Sequence, residues 1–304
     1  MFPFTKTPIK PFLDLGKHRL SFMNALMPVA GYISCAPSIS APVALALFGG
    51  NFFMALSSQG MGQIIEKKQD SLMARTKDRP LVVHSITDNQ ATKFTLGSYL
   101  LANAIMIPTI PMSAVLTSNL TVALYYVYLK AKQRTKHCIH IGAIVGIMPL
   151  LVGGLAAGEL TTKLFLDMAF MYSWQISHFV TILNHCQQDY KNAGFVMPEG
   201  SAKLLNMIIR YLVISGLIVY QLSDDDIYHV IIKVMLEMLI FTKAYHTYRK
   251  LKGLPYPKIL GRFFFDYYSI AGFYYLGYNL VPPAQGKRIE LHLKNSSNNG
   301  VAEN

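Results

Sequence analysis

Nine mostly apolar stretches run through this chain of 304 residues, and they constrain its fold more than any other feature. They lie at 21–36, 41–60, 94–108, 111–129, 139–157, 164–186, 204–222, 227–247 and 263–281. A helix needs about 20 apolar residues to cross a bilayer. The strands of a membrane barrel would instead alternate between polar and apolar residues, which these stretches do not do. The sequence therefore predicts an all-α membrane protein built as a nine-transmembrane-helix bundle.

The composition excludes the main alternatives to a membrane protein. Hydrophobic residues make up 52% of the chain and charged residues only 14%, whereas an average soluble domain is about 25% charged. The apolar content is too high for a disordered chain. Three cysteines, Cys35, Cys138 and Cys186, are too few for a disulfide scaffold.

The positive charges predict the orientation of the bundle. Nine spans would place the segments 1–20, 61–93, 130–138, 187–203 and 248–262 on one side, and these hold 21 of the 28 Lys and Arg residues. This side is expected to face the cytoplasm or the mitochondrial matrix. Because the charge is divided among short loops, a nucleic-acid role is not indicated. We expect an N-terminal segment (1–20) on the basic side, a membrane domain (21–283) and a polar, disordered tail (284–304).

A charged cluster follows the second span. Glu66 and Asp70 are four residues apart, and Gln63 precedes Glu66 by three, so all three share one face of a helix that continues past the span. Mg²⁺ often takes one or two carboxylates and completes its shell with substrate phosphates. Arg75 and Arg79 come next, and a guanidinium group binds phosphate bidentately. A basic loop with internal salt bridges would explain the same residues, and the spacing alone leaves both readings open.

A second group lies at the end of the sixth span. Asp189 follows this span on the basic side, with Lys191 nearby, and it could meet the first acidic pair across a closed bundle. Trp174, Gln175 and His178 lie deeper in the same span. An intramembrane histidine suggests a functional site, although a hydrogen-bonded core histidine and an aromatic girdle would explain this segment as well.

A third candidate closes the fourth span. Tyr126 and Lys130 are four residues apart at its basic end, where the lysine could approach a diphosphate as a point charge. A lysine that extends to the membrane surface is an equal alternative.

Together these stretches resemble the UbiA superfamily of intramembrane prenyltransferases, and within it most of all the family of protohaem IX farnesyltransferases, the haem O synthases. The similarity covers residues 17–200. It rests on LGKHRL, QIIEKKQDSLMARTKDRPLV, YLK, MYSWQISHF and QQDYKNAGFVM, in that order. The chain departs from the family pattern at Gly62, where Asn is usual, and at Ala131, where Arg is common.

The resemblance implies a central cavity open to the matrix side of the mitochondrial inner membrane. It implies Mg²⁺-dependent transfer of the farnesyl group of farnesyl diphosphate to a vinyl group of haem B, which gives haem O ahead of the haem A synthesis machinery of cytochrome c oxidase. The residues implied are Glu66, Asp70 and Asp189 for the metal, Arg75, Arg79, Lys130, Lys191 and Tyr126 for diphosphate, and Trp174, Gln175, His178 and Gln63 for the haem or prenyl cavity.

Other functions stay open at this point. A sister UbiA enzyme that prenylates an aromatic quinone precursor would use the same ionisation chemistry. A transporter or haem carrier would also contain intramembrane charges, but it would distribute them through several spans. A purely structural subunit would not need paired acids.

Overall fold

The structure, a computed structural model, describes residues 9–198 together with Leu204, Met207, Arg210, Tyr211 and Ile214. This part of the chain is helical and contains no strand. It forms six long helices and three short ones, namely α1 (Lys10–Leu15), α2 (His18–Cys35), α3 (Ala41–Ile65), α4 (Lys67–Ser71), α5 (Asp88–Met106), α6 (Met112–Ala131), α7 (Cys138–Ala157), α8 (Thr162–His185) and α9 (Gln187–Asn192).

The six long helices coincide with the first six predicted spans. Three of them, α3, α6 and α7, are long and apolar enough to cross a membrane by length and hydropathy alone. The predicted spans at 204–222, 227–247 and 263–281 and the tail at 284–304 lie outside the described residues, apart from the five single positions named above. The all-helical membrane fold is confirmed, and the count of nine spans stays a prediction.

The third span looked short in the sequence because its helix begins in polar residues. Thr87 accepts a hydrogen bond from the backbone N–H of Gln90 (3.2 Å), and the Gln90 side chain accepts one from the backbone N–H of Thr87 (2.9 Å). This reciprocal capping box satisfies two N–H groups that would otherwise lack partners. Helix α5 therefore starts at Asp88, six residues before the predicted boundary.

Helices α2 and α7 cross in backbone contact. A Cβ atom on Gly31 would lie 2.2 Å from the carbonyl oxygen of Leu150, and one on Gly153 would lie 2.0 Å from that of Pro28. No side chain fits at either position, so the two glycines allow the helix backbones to approach closely. In a membrane, such close packing stabilises helix association, because lipid provides no hydrophobic driving force between helices. This crossing holds α2 against α7 on one side of the bundle.

Helix α3 continues beyond its apolar segment, as the sequence predicted, and carries the first acidic motif. It ends at Ile65, breaks at Glu66 and resumes as α4. The side-chain amide of Gln63, which is buried, donates to the backbone carbonyls of Asp14 and Leu15 at 3.0 and 2.7 Å. Gln63 thereby fixes the corner between α1 and α2 against α3, where Leu15 is fully buried.

Another buried carboxylate lies near the opposite end of α2. Asp167 on α8 is 1% exposed. Its Oδ2 atom accepts hydrogen bonds from the Ser34 hydroxyl (3.0 Å) and the Lys163 ammonium (2.9 Å). A buried charge is tolerated only when it is paired and hydrogen-bonded, and this group links α8 to α2.

Candidate active site

A central cavity of about 570 Å³ opens between α2, α3, α6, α7 and α8. This volume lies within the range of about 300–1,000 Å³ that is usual for small-molecule sites. Much of its wall is apolar, with several methionines from α2, α3 and α8. Its basic end is lined by six charged residues, namely Lys17, Glu66, Asp70, Arg75, Arg79 and Lys132. The cavity is therefore charged at one end and apolar in its interior.

Two buried carboxylates face two buried or half-buried cations at this end. Glu66 is 7% exposed and Asp70 is 3% exposed. The Glu66 carboxylate pairs with the Lys132 ammonium (2.5 Å), and the Asp70 carboxylate pairs with the Arg79 guanidinium. The internal salt bridge that the sequence left open thus exists for Asp70 and Arg79, but it lines a cavity and not a solvated loop. A phosphate ligand would meet acid and base groups together.

The second acidic segment meets the first at Arg75. The backbone N–H of Arg75 points to the Asp189 carboxylate, with 3.4 Å between N and Oδ2, and the Arg75 side chain lines the cavity. Asp189 itself is half-exposed on α9 and does not line the cavity, whereas its neighbour Tyr190 does. Burial raises the pKa of the Tyr190 phenol, so this group stays a neutral hydrogen-bond donor.

The lysine near the end of α6 that lines the cavity is Lys132, two residues beyond the one that the sequence suggested. Lys132 follows α6 directly, is 8% exposed, and lies over the rings of Tyr128 (5.1 Å) and Phe195 (5.0 Å). Lys130 is exposed on the other side of α6, with its ammonium 5.6 Å from the ring centre of Tyr126. The structure brings neither Lys130 nor Tyr126 to the cavity.

Two further residues named from the sequence are also outside the cavity wall. Lys191 is exposed on α9. Gln63 is 2% exposed and directs its amide to the α1–α2 corner. Neither side chain contacts the cavity from this position.

Lys17 is a cavity residue that sequence reasoning missed. It lies between α1 and α2 with φ 45° and ψ 54°, in the left-handed region that a lysine rarely adopts. Its ammonium donates to the Gln59 side chain at 2.9 Å. Burial, followed by the charges of Arg79 and Lys132, lowers the pKa of Lys17 to about 7. Its place in the LGKHRL motif was the one sequence signal that pointed to it.

Trp174, Gln175 and His178, which the resemblance assigned to the haem or prenyl cavity, all line the central cavity. The rings of Trp174 and His178 are stacked in parallel, with centroids 4.9 Å apart and 5° between their planes. Gln175 packs where a side chain at position 146 would lie, since a Cβ on Gly146 would be 2.4 Å from the Gln175 Nε2 atom. These residues form a flat, mostly aromatic wall.

The donor groups of this end suit a hard cation that shares its ligands with a phosphate. Among the described residues, no group of three His, Cys, Asp or Glu side chains is arranged to hold a metal. Glu66 and Asp70 offer two buried carboxylates one turn apart, which is the number that Mg²⁺ commonly takes from protein. Their cationic partners would then be free to contact the phosphate oxygens.

A pair of buried carboxylates at one end of an apolar cavity within the membrane is typical of a transferase that acts on lipid substrates. The model of the UbiA prenyltransferase family matches residues 25–253. The chain belongs to this family.

Similar proteins include several with a common name. The mitochondrial protoheme IX farnesyltransferase of Kluyveromyces lactis is 30% identical over 223 residues, which cover 72% of this chain and 49% of that protein. The protein of the same name from Saccharomyces cerevisiae is 31% identical over 233 residues, with 73% and 49% covered. The protoheme IX farnesyltransferase of Christiangramia forsetii is 30% identical over 196 residues, with 63% and 65% covered. The chain spans about half the length of the mitochondrial relatives it matches.

Solved structures share the fold at lower identity. A digeranylgeranylglyceryl phosphate synthase superposes with a TM-score of 0.67 at 18% identity, over 90% of this chain and 98% of that one. A UbiA homologue from Archaeoglobus fulgidus, described as bound to DMAPP and Mg²⁺, gives 0.62 at 15% identity, over 88% and 98% of the two chains. These similarities confirm the UbiA fold.

Proposed function

We propose that this protein transfers the farnesyl group of farnesyl diphosphate to a vinyl group of haem B and so makes haem O. The observation that carries the proposal is that buried carboxylates and cations lie in contact at one end of an apolar cavity. The relatives named protoheme IX farnesyltransferase support the choice of donor and acceptor. Fold alone would not decide it, because one fold serves many substrates.

The charged end suits the diphosphate of the donor. Arg79 and Lys132 are held in place by Asp70 and Glu66, and Lys17 approaches the same space from the α1–α2 corner. Cations that are fixed before the ligand arrives stabilise developing negative charge without reorganisation. Arg75 adds a further guanidinium from the loop that touches Asp189.

Glu66 and Asp70 are the residues that would hold Mg²⁺ beside this diphosphate, whereas Asp189, which does not line the cavity, contacts the backbone of Arg75 from α9. When bound, Mg²⁺ supplies Lewis-acid stabilisation of the leaving diphosphate. UbiA homologues described as bound to prenyl diphosphates and Mg²⁺ support this assignment. The positive groups of the chain itself hold the remaining oxygens.

The apolar interior suits the rest of the reaction. The C1–O bond of the donor breaks, and its electron pair leaves with the diphosphate. The allylic cation that remains must be kept from water, and aromatic faces such as those of Trp174 and Tyr128 can stabilise it. The vinyl group of haem B attacks it to form the new C–C bond. Water then captures the resulting cation and loses a proton, which leaves the hydroxyl group of haem O.

The aromatic wall is proposed to receive the acceptor. The Trp174–His178 stack offers a flat surface to a planar porphyrin, and the farnesyl chain would lie along the methionine-rich wall. Because neither substrate needs a protein nucleophile, the side chains act by binding, orientation and exclusion of water.

The protein is proposed to work in the mitochondrial inner membrane, with the cavity mouth and the basic loops on the matrix side. The mitochondrial relatives support the compartment, and the distribution of Lys and Arg supports the orientation.

The test is an incubation of the purified full chain in lipid nanodiscs with haem B, farnesyl diphosphate and Mg²⁺, followed by mass analysis of the porphyrin. The expected product is haem O, and omission of any component should abolish it. A chain that binds haem B but yields no product would be a carrier. Prenylation of 4-hydroxybenzoate or another aromatic ring in place of haem B would identify a sister enzyme.

A further inference from the structure

Position 62 lies one turn before the acidic pair Glu66 and Asp70 and has no side chain. Gly62 is buried on α3, one turn before Glu66, whose backbone N–H donates to the Gly62 carbonyl at 3.0 Å. A Cβ atom at this position would lie 2.8 Å from the hydroxyl oxygen of Tyr125 and 3.4 and 3.5 Å from its ring carbons. The tyrosine hydroxyl therefore occupies the space that a side chain at position 62 would need.

Tyr125 belongs to a row of side chains that α6 turns toward this motif. Tyr125, Tyr128 and Lys132 follow one another at spacings of three and four residues, which places them on one face of the helix. All three line the cavity, and the two rings are 5.9 Å apart. Tyr126 points the other way and is 47% exposed.

The hydroxyl of Tyr125 has no hydrogen-bond partner among the residues that the structure describes. The side chain is half-buried and lines the cavity, so its hydroxyl is accessible from the cavity. This donor lies at the cavity wall, close to the turn that carries Glu66, so a ligand oxygen in the cavity is the partner within reach. A neutral phenol can also approach Arg79 and Lys132 without charge repulsion.

We propose that the Tyr125 hydroxyl is a diphosphate-binding group of this site, admitted by the glycine at position 62. It donates a hydrogen bond to an oxygen of the prenyl diphosphate beside the Glu66–Lys132 pair. It thereby brings a polar group from α6 to the place where the family pattern has an asparagine on α3. The inference rests on the proposed function for its ligand, an allylic diphosphate, and is independent of the acceptor.

The first test measures the dissociation constant of farnesyl thiolodiphosphate, an analogue that resists ionisation, with Mg²⁺ and the full chain in nanodiscs. Tyr125→Phe should weaken binding about 10- to 100-fold, the loss expected for one hydrogen bond to a charged group. Tyr126→Phe removes the neighbouring hydroxyl outside the cavity and should bind like the wild type. Equal binding by Tyr125→Phe, or a loss in Tyr126→Phe alone, would overturn the proposal.

A reciprocal test uses position 62 and separates binding from packing. Gly62→Ala should displace the hydroxyl and weaken binding, but it should add little to Tyr125→Phe, because the clashing atom is then gone. Gly62→Asn in the Tyr125→Phe background should recover part of the affinity, since the amide can donate from the same space. Additive losses without recovery would contradict the proposal. If the Gly62 variants do not fold, the two tyrosine variants decide alone.

The outcomes keep this inference apart from the proposed function. A wild type that binds the analogue but makes no haem O would refute the proposed function. The dissociation constants of the tyrosine variants would still decide the role of Tyr125. A wild type that makes haem O while Tyr125→Phe binds the analogue normally would refute the role of Tyr125 alone. A wild type that does not bind the analogue would refute both.

Discussion

The Nζ atom of Lys132 lies 2.5 Å from Oε1 of Glu66, and both residues are more than nine-tenths buried. This pair joins the end of α6 to the break between α3 and α4. The backbone carbonyl of Lys132 also accepts a hydrogen bond from the N–H of Val196 (2.8 Å). One lysine therefore connects the acidic motif to the segment that follows α9, at the mouth of the cavity.

Lys132→Met should lose far more activity than Lys130→Met, although the two lysines are only two residues apart. The first substitution removes a fixed cation from the cavity, and loss of one such group commonly reduces kcat by about 10²–10³-fold. The second removes an exposed ammonium that contacts Tyr126. Haem O formation by nanodisc-reconstituted variants checks this. A larger loss for Lys130→Met would show that α6 turns its other face to the substrate.

Lys132→Met should also lower the free energy of unfolding by about 3–5 kcal/mol, because it leaves the Glu66 carboxylate buried and unpaired.

Glu66→Gln and Asp70→Asn should each abolish most haem O formation while the protein still inserts into the membrane. Each amide keeps the shape of the side chain but removes the charge that would hold Mg²⁺. Asp88→Asn is the matched control, because Asp88 is an exposed carboxylate at the start of α5 that pairs with Lys67. The measurements are product formation against Mg²⁺ concentration and the level of protein in the membrane. If both cavity variants depend on Mg²⁺ as the wild type does, these two residues are not the ligands of the metal.

Diphosphate binding should take up a proton at Lys17 when the pH is above about 7. Burial lowers the pKa of this amine to about 7 in the free protein, so it is charged below that pH and neutral above it. An anion beside it favours the charged form and raises the pKa again. Affinity should therefore fall as the pH rises from 7 to 9.

Calorimetry at pH 8 in two buffers of different ionisation enthalpy measures this uptake. Lys17→Arg is the comparison, because its guanidinium stays charged throughout this range. The titration of the diphosphate itself is common to both proteins and cancels. Identical proton uptake by the wild type and Lys17→Arg would mean that Lys17 does not meet the ligand.

Gly153→Ala should destabilise the bundle, whereas Gly97→Ala should not. The added methyl group at position 153 would lie 2.0 Å from the carbonyl oxygen of Pro28, a backbone atom that cannot move aside, while position 97 on α5 has no atom within 4 Å. Overpacking typically costs about 1–3 kcal/mol. An exposed Gly→Ala change in a helix gains about 0.5–1 kcal/mol. Thermal unfolding in one detergent compares the two, and equal melting temperatures would contradict the crossing of α2 and α7.

The sequence predicted the helices and the pairs of residues that share one helix. Six apolar stretches became α2, α3, α5, α6, α7 and α8, since the length of an apolar run is a local property. Glu66 and Asp70, like Trp174 and His178, lie together at the cavity because residues four apart share one face of an α-helix. The hydrogen bond from the Asp70 N–H to the Glu66 carbonyl (2.8 Å) keeps this spacing across the break at Glu66. The start of α5 was missed because the capping box at Thr87 consists of polar residues.

The sequence predicted only one meeting of side chains from different elements, that of Asp189 with the first acidic pair, and the structure shows the Asp189 carboxylate at the backbone N–H of Arg75. Lys130 and Lys132 are separated by about 200° around a helix of 3.6 residues per turn, so the rotation of α6 decides which of them enters the cavity. That rotation is set by its packing against α7. Lys17 reaches the cavity from the α1–α2 corner, which Gln63 holds against α3.

The sequence by itself thus determined a helical membrane protein with acid and base groups gathered on one face, because hydrophobic length, charge bias and helical periodicity are properties of consecutive residues. Only the tertiary structure decided that Glu66 pairs with Lys132, that Arg75 meets Asp189, and that the Tyr125 hydroxyl lies in the space beside Gly62. These contacts join residues far apart in the chain, and they depend on how each helix is rotated and how closely its backbone approaches its neighbours.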